Sequence, residues 1–340
     1  MSKKKYLLSI FFFLIIVVIT FYTIFSIDNP ITIINCIKEI KITNIIIILL
    51  FILLYFVFQG IYMKLILKSL NSNISLTDGI IYSVIEFLFS GITPSSTGGQ
   101  PVQLYYMKKD KIPVRKSLIT LILNTIYFKL ILFLFGIVII IFYKNIIYSN
   151  IYLTIFFYLG FITDLIIVVL GFLILFKQKI IKKFLNIYYK LKLKIKHEDG
   201  IDINKIVKEK INIYNAEIKY IKSHKLEVYL GFIITLVQRV VLFSISYLIY
   251  KALGLSEYNY FYLLICQVIV QISIEAVLLP GGSGVSEFLL SLIFSSVFGA
   301  SLANPSMLLT RIFTFYFPLI LSLMLFILRC IKKRHIYFKK

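Results

Sequence analysis

Gly91-Ile92-Thr93-Pro94-Ser95-Ser96-Thr97-Gly98-Gly99-Gln100-Pro101 and Pro280-Gly281-Gly282-Ser283-Gly284-Val285-Ser286-Glu287 are glycine-rich polar loops, each set where an apolar run would otherwise continue. The first leads directly into the polar, basic stretch Gln103 to Lys116. Hydrocarbon offers no hydrogen bonds, so irregular backbone at membrane depth is tolerated only where protein buries it or where it lines a wet cavity. A break of this kind in each half of a chain points to a binding site built between discontinuous helices.

The composition around the breaks fixes the class. A chain of 340 residues that is 60% hydrophobic, with mean hydropathy +0.94, is far more apolar than a soluble domain burying one core. It reads as an integral membrane protein. Cys36, Cys266 and Cys330 are far apart and have neither metal nor CxxC spacing, so no disulfide framework or zinc site is implied. The formal charge of +22 comes largely from lysines between apolar runs, where the fitting partner is the anionic leaflet surface rather than nucleic acid. An AT-rich genome offers a second origin for a chain rich in Ile, Lys and Asn.

Runs able to cross about 30 Å of hydrocarbon are Tyr6 to Ile27, Ile42 to Leu67, Ser117 to Tyr143, Ile151 to Phe176, Val228 to Tyr250, Tyr258 to Leu279 and Ser306 to Leu328. The first follows Lys3 to Lys5, is too long for a signal-peptide core and lacks an A-x-A cleavage site, so it is expected to remain as a span. Gly79 to Ile92 and Val285 to Ala300 are short and abut the glycine loops. Lys and Arg gather at Lys3 to Lys5, Lys64 and Lys68, Lys108 to Lys116, Lys177 to Lys225 and Arg329 to Lys340, which places these segments and both termini in the cytoplasm. On that assignment Gly79 to Tyr106 is a hairpin from the cytoplasmic side. Tyr258 to Ala300 is either a hairpin from outside or a full crossing and return.

Between Lys177 and Glu227, Ile180, Ile181, Phe184, Ile187, Tyr188 and Leu191, then Ile206, Ile211, Tyr214, Ile218 and Ile221, recur at helical spacing. His197-Glu198-Asp199-Gly200 supplies a turn between two amphipathic helices. These lie either on an anionic membrane surface or as a solvated hairpin packed on the spans.

Ionisable residues inside apolar runs are costly and mark a functional site or its partner. Here they are Glu86, Lys129, Asp164, Arg239, Glu275, Glu287 and Arg311. Mutual pairing in the bundle is one account. The other makes Arg239 and Arg311 grips for a lipid phosphate, since a guanidinium donates two parallel hydrogen bonds and keeps its charge at any depth; Lys129 is then an auxiliary charge. Gln267, Gln271 and Glu275, four apart, form one polar helical stripe before Pro280, which serves either helix association or the site. Pro280 is expected to end that helix, with glycine amides and the next helix start near Val285 facing an anion. The same logic applies to Ser95 through Gln100. The three histidines, His197, His224 and His335, sit in hydrophilic segments, and neither a nucleophile elbow nor a Walker A motif is present.

TPSSTGGQPVQLYYMKKDKIP (Thr93 to Pro113) and PGGSGVSE (Pro280 to Glu287) resemble the two signature segments of the lysylphosphatidylglycerol synthase membrane region, a flippase-like family, in the expected order and setting. In the fuller members, the multiple peptide resistance factors linked to antibiotic resistance, this region precedes further spans and a cytosolic transferase domain that moves lysine from lysyl-tRNA to phosphatidylglycerol. The resemblance implies that the membrane region flips the aminoacylated lipid. The chain stops at Lys340, twelve residues after its last apolar run, so the transferase step is expected to be absent and lipid handling kept.

The expectation is an all-α polytopic protein of the bacterial plasma membrane with about seven or eight transmembrane helices, two glycine-broken hairpins, and an inverted repeat as one reading of them. Residues 1–340 would form a single flippase-like integral membrane domain, with 177–227 as a basic amphipathic cytoplasmic segment. The partner would be an anionic or lysylated phospholipid, or a polyprenyl-phosphate lipid. Gly98, Gly99, Gln100, Pro101, Gly281, Gly282, Gly284 and Glu287 would shape the site, Arg239 and Arg311 would bind the head group, and Gln271 and Glu275 would form its polar wall. No catalytic residue, metal or cofactor is expected. Two further readings stand: a phosphatidylglycerol lysyltransferase using lysyl-tRNA, and a membrane partner of a separate synthase or glycosyltransferase docking on Lys177 to Lys225.

Overall fold

A computed structural model describes residues 40–93, 96–176, 222–277, 279–282 and 284–338, with positions 38, 182, 186, 207, 208, 211, 214–216, 218 and 219. The expected span Tyr6 to Ile27, Cys36, Pro94, Ser95, Ser283, most of the expected amphipathic helices and the His197 turn lie outside the described residues.

All regular structure among the described residues is helical, as hydrocarbon requires of a chain whose backbone groups must pair within each segment. The order is α1 (Ile42–Ser69), α2 (Leu76–Gly91), α3 (Gly99–Lys109), α4 (Val114–Phe142), α5 (Lys144–Ile147), α6 (Ile151–Phe176), α7 (Lys225–Phe243), α8 (Ile245–Ala252), α9 (Tyr260–Ile274), α10 (Val285–Val297), α11 (Ala303–Arg311) and α12 (Phe317–Phe338). A 3-10 turn, Pro280–Gly282, precedes α10, and a π-helical turn, Ile312–Tyr316, joins α11 to α12. Five segments are long and apolar enough to cross a membrane: α1, α4, α6, α7 with α8, and Ala303–Lys332.

Two quartets have the same order of long and short helices. α1, short α2, glycine loop, short α3 and α4 are matched by α7–α8, short α9, glycine loop, short α10 and α11–α12. The short helices start on side-chain caps where the sequence provides them. Ser75 Oγ accepts from Asp78 N–H at the start of α2 (3.0 Å), and Asn259 Oδ1 accepts from Tyr262 N–H at the start of α9 (2.9 Å).

Long and short helices differ in what they face. α6 exposes Ile151, Ile155, Leu159, Ile162, Ile166 and Leu170, a helical stripe that in water would be an aggregation hazard and that suits a hydrocarbon surrounding. α9 is the opposite: Leu263 through Val270 are all buried, and all but Gln267 belong to the largest core cluster, with residues of α10 and α11. The short helices α9 and α10 are therefore central, and α6 lies at the wall.

Two expectations are corrected. Tyr258 to Leu279 was expected to be long enough to cross, but α9 covers 15 residues, about 22 Å at 1.5 Å per residue. Nor does Pro280 end it. The helix stops at Ile274 and leaves through two tight turns, Glu275 N–H to Ile272 O (3.1 Å) and Val277 N–H to Ile274 O (3.0 Å), where Glu275 meets Lys129 of α4.

Candidate functional site

The first break folds back on α2. Thr93 Oγ1 donates to Phe89 O (2.6 Å) and accepts from Gly98 N–H (2.8 Å), so the loop caps its own helix. Gly99 starts α3 against α2: a Cβ there would overlap the Ser90 hydroxyl and lie 2.7 Å from Glu86 O. Gln100 donates to Thr125 on α4, and Pro101 fits in the first helical turn, where no N–H partner is lost. These four predicted site residues thus hold the hairpin together.

The second break is wound through left-handed backbone, with φ of 58° at Gly281, 66° at Gly282 and 85° at Gly284, conformations that penalise any side chain. Glu287 gathers the turn. Its carboxylate accepts from Gly284 N–H (2.6 Å), Ser286 Oγ (2.8 Å), Arg311 Nε (2.8 Å) and Tyr316 Oη (3.1 Å). Arg311 also donates to Gly281 O (3.2 Å). A buried carboxylate and guanidinium are stable only when so fully bonded. Glu287, Arg311, Gly281 and Gly284 are brought together as one unit.

The two breaks meet at Phe315, in the π-helical turn. A Cβ on Gly91, at the end of α2, would lie 3.4 Å from the Phe315 ring, and one on Gly281 would overlap that ring. From Phe315 an aromatic line runs through Phe87 (6.5 Å between centroids) and Tyr55 (6.0 Å) to the guanidinium of Arg239, which sits 5.7 Å from the Tyr55 ring. Arg311 stacks on the other end, 4.5 Å from the Phe315 centroid. A π turn inside a helix is costly and recurs at functional positions.

Arg239 differs from Arg311. It is 9% exposed, stacks 3.7 Å from the Phe128 centroid and touches Tyr55 Oη at 3.5 Å. Among the described residues no carboxylate comes within 4.0 Å of it, and its buried Nε has no acceptor. Glu86, whose carboxylate accepts from Gln59 (3.2 Å), is the acid on the adjoining face of α2.

Gln271 and Glu275 do share a face, with Gln271 donating to Glu275 Oε1 (2.9 Å). They aim at α4 and α6. Lys129 bonds Glu275 Oε2 and lies 3.1 Å from Asp164 Oδ1. Gly160, one turn before Asp164, permits this: a Cβ there would overlap Ile272 O of α9.

Sequence reasoning missed a fourth cluster. Asp110, at the end of the first signature segment, pairs with Arg329 of α12 and accepts from Tyr82 Oη (2.8 Å), while Arg329 lies over the Tyr82 and Tyr106 rings (5.2 and 5.4 Å). Neither residue lies within an apolar run, so neither stands out in the sequence as a charge that is costly to bury.

The family model for the lysylphosphatidylglycerol synthase TM region matches residues 6–322. The chain belongs to that family. It is a multi-pass membrane protein, and the matched region takes in both breaks, Arg239, the Lys129 cluster and Phe315. No curated protein matches the chain.

Proposed function

We propose that this member of the lysylphosphatidylglycerol synthase TM region family binds an anionic or lysylated phospholipid, or a polyprenyl-phosphate lipid, and moves its head group across the plasma membrane between the two breaks. The observation that carries the reading is Arg239, a guanidinium held near the first break between aromatic rings, with no carboxylate of the described residues within 4.0 Å and a buried donor unused. A native protein rarely leaves such a group unsatisfied without a use for it, and a phosphate oxygen is its natural acceptor. The aromatic line gives the acyl-proximal part of a lipid an apolar path beside the charge.

Counting crossings supports access from both leaflets. If α4, α6 and α7–α8 each cross once, the α9–α10 hairpin enters from the face opposite the α2–α3 hairpin, and the lysine distribution makes the α2–α3 face cytoplasmic. The test is lipid binding by the purified chain in detergent, with anionic and neutral phospholipids compared by native mass spectrometry. Arg239→Ala is expected to weaken binding of anionic lipid about 10- to 100-fold, the worth of a charged hydrogen bond at about 1.5–3 kcal/mol, and to leave neutral lipid unchanged. Equal binding by wild type and Arg239→Ala would remove Arg239 from the site.

A further inference from the structure

We infer that Lys129, Asp164 and Glu275 form a binding site for one exchangeable monovalent cation, a proton or sodium ion, at the base of the second break. Three helices contribute: α4 gives Lys129, α6 gives Asp164, and Glu275 is the first residue beyond α9. Two carboxylates face one ammonium, so with all three ionised the cluster carries one uncompensated negative charge. Asp164 is fully buried and Lys129 is 7% exposed. An uncompensated charge in such a place is not left bare.

The hydrogen bonds point to where the cation goes. Glu275 has both oxygens engaged, one by Gln271 and one by Lys129. Asp164 Oδ1 lies 3.1 Å from the Lys129 ammonium, and Oδ2 has no hydrogen-bond donor among the described residues. A fully buried carboxylate with free acceptor capacity, aimed at an ammonium already held by a second carboxylate, is the seat for one more positive charge.

Charges on the packed elements do not fill that seat. On α7, Arg239 stands across the Phe128 ring from Lys129, at 3.7 Å from that ring against 5.1 Å for Lys129, and its charge is balanced by that of Glu86 on α2. Glu287 on α10 is neutralised by Arg311. Lys144 on α5 and Lys251 on α8 are exposed. With the cation bound, the interior charges among the described residues sum to zero. Without it, Lys129 must serve both acids, which pulls Glu275, and with it the start of the second break, toward α4 and α6. The cluster therefore makes the geometry of the break depend on cation occupancy.

The site is tested on the purified full-length chain without added lipid, so its failure is distinguishable from failure of the lipid reading. All samples carry Glu86→Gln together with Arg239→Gln, which removes the half-buried acid outside the cluster and its balancing cation together, so the charge count at Lys129 is unchanged. Infrared pH titration reads a protonated buried carboxyl through its C=O stretch, and sodium titration of the same sample reads displacement of that band. Expected is one cation per chain, seen as a titrating carboxyl band or as saturable sodium binding that suppresses it. Asp164→Asn and Glu275→Gln should each abolish it, because one remaining carboxylate balances Lys129. A chain showing neither band nor sodium binding overturns the inference, as does a signal retained in both variants. Should either variant fail to fold, the stoichiometry in the background chain with Glu86→Gln and Arg239→Gln decides alone: one supports the site and zero overturns it.

Discussion

Gly281 and Gly284 both hold positive φ, but only Gly281 has a neighbour where a Cβ would stand. Gly281→Ala therefore adds overpacking against Phe315, about 1–3 kcal/mol, to a left-handed strain of about 1–2 kcal/mol, whereas Gly284→Ala carries conformational strain alone. Thermal unfolding in detergent should show that Phe315→Ala relieves part of the cost of Gly281→Ala but none of the cost of Gly284→Ala. Purely additive effects for both pairs would contradict the placement of Phe315 against the turn. The two arginines are expected to separate in the same assay. Arg311→Ala strands the buried carboxylate of Glu287 and should cost about 3–5 kcal/mol. Arg239→Ala strands no paired acid and should cost far less; an equal loss would mean that Arg239 is structural.

At the level of elements, the long helices could be read from apolar run length alone, since α1, α4, α6 and α7–α8 begin and end within a few residues of the runs that predicted them. The broken hairpins were also legible, because glycine and proline inside an apolar run conflict with a continuous helix. Long-range pairing was not. Asp110 and Arg329 are 219 residues apart, and no local periodicity links them. Phe315 is one aromatic among many in an apolar run, and nothing in its neighbours marks it as the place where the breaks meet. Gln271 and Glu275 were rightly put on one face, but which helix that face meets is decided by Gly160, whose missing side chain lets α6 reach α9. Gly160→Val should prise these helices apart, lowering the unfolding temperature and exposing Cys266, buried in α9, to a thiol reagent. Continued protection of Cys266 would show that the contact is dispensable.

For the whole molecule, the ends of the bundle sort consistently. Lys116 donates to Asn71 O (3.0 Å) and Arg329 pairs with Asp110, so the α1–α2 turn, the α3–α4 turn and the second half of α12 share one face, the one richest in lysine and arginine. Glu257, before α9, and Gly299, after α10, flank the other hairpin. In a chain freed of its native cysteines, Lys111→Cys should react with a membrane-impermeant thiol reagent only from the cytoplasmic side, and Glu257→Cys only from outside. Labelling of both from one side would rule out hairpins that enter from opposite faces. The central claim, that the two breaks and Arg239 carry a lipid head group across the membrane, is met most directly by transbilayer movement of labelled anionic lipid in proteoliposomes. Wild type should move the lipid well above protein-free vesicles, and Arg239→Ala and Gly282→Leu, reconstituted in equal folded amounts, should each fall at least about tenfold, the equivalent of roughly 1.4 kcal/mol. Movement at the wild-type rate in both variants would contradict it.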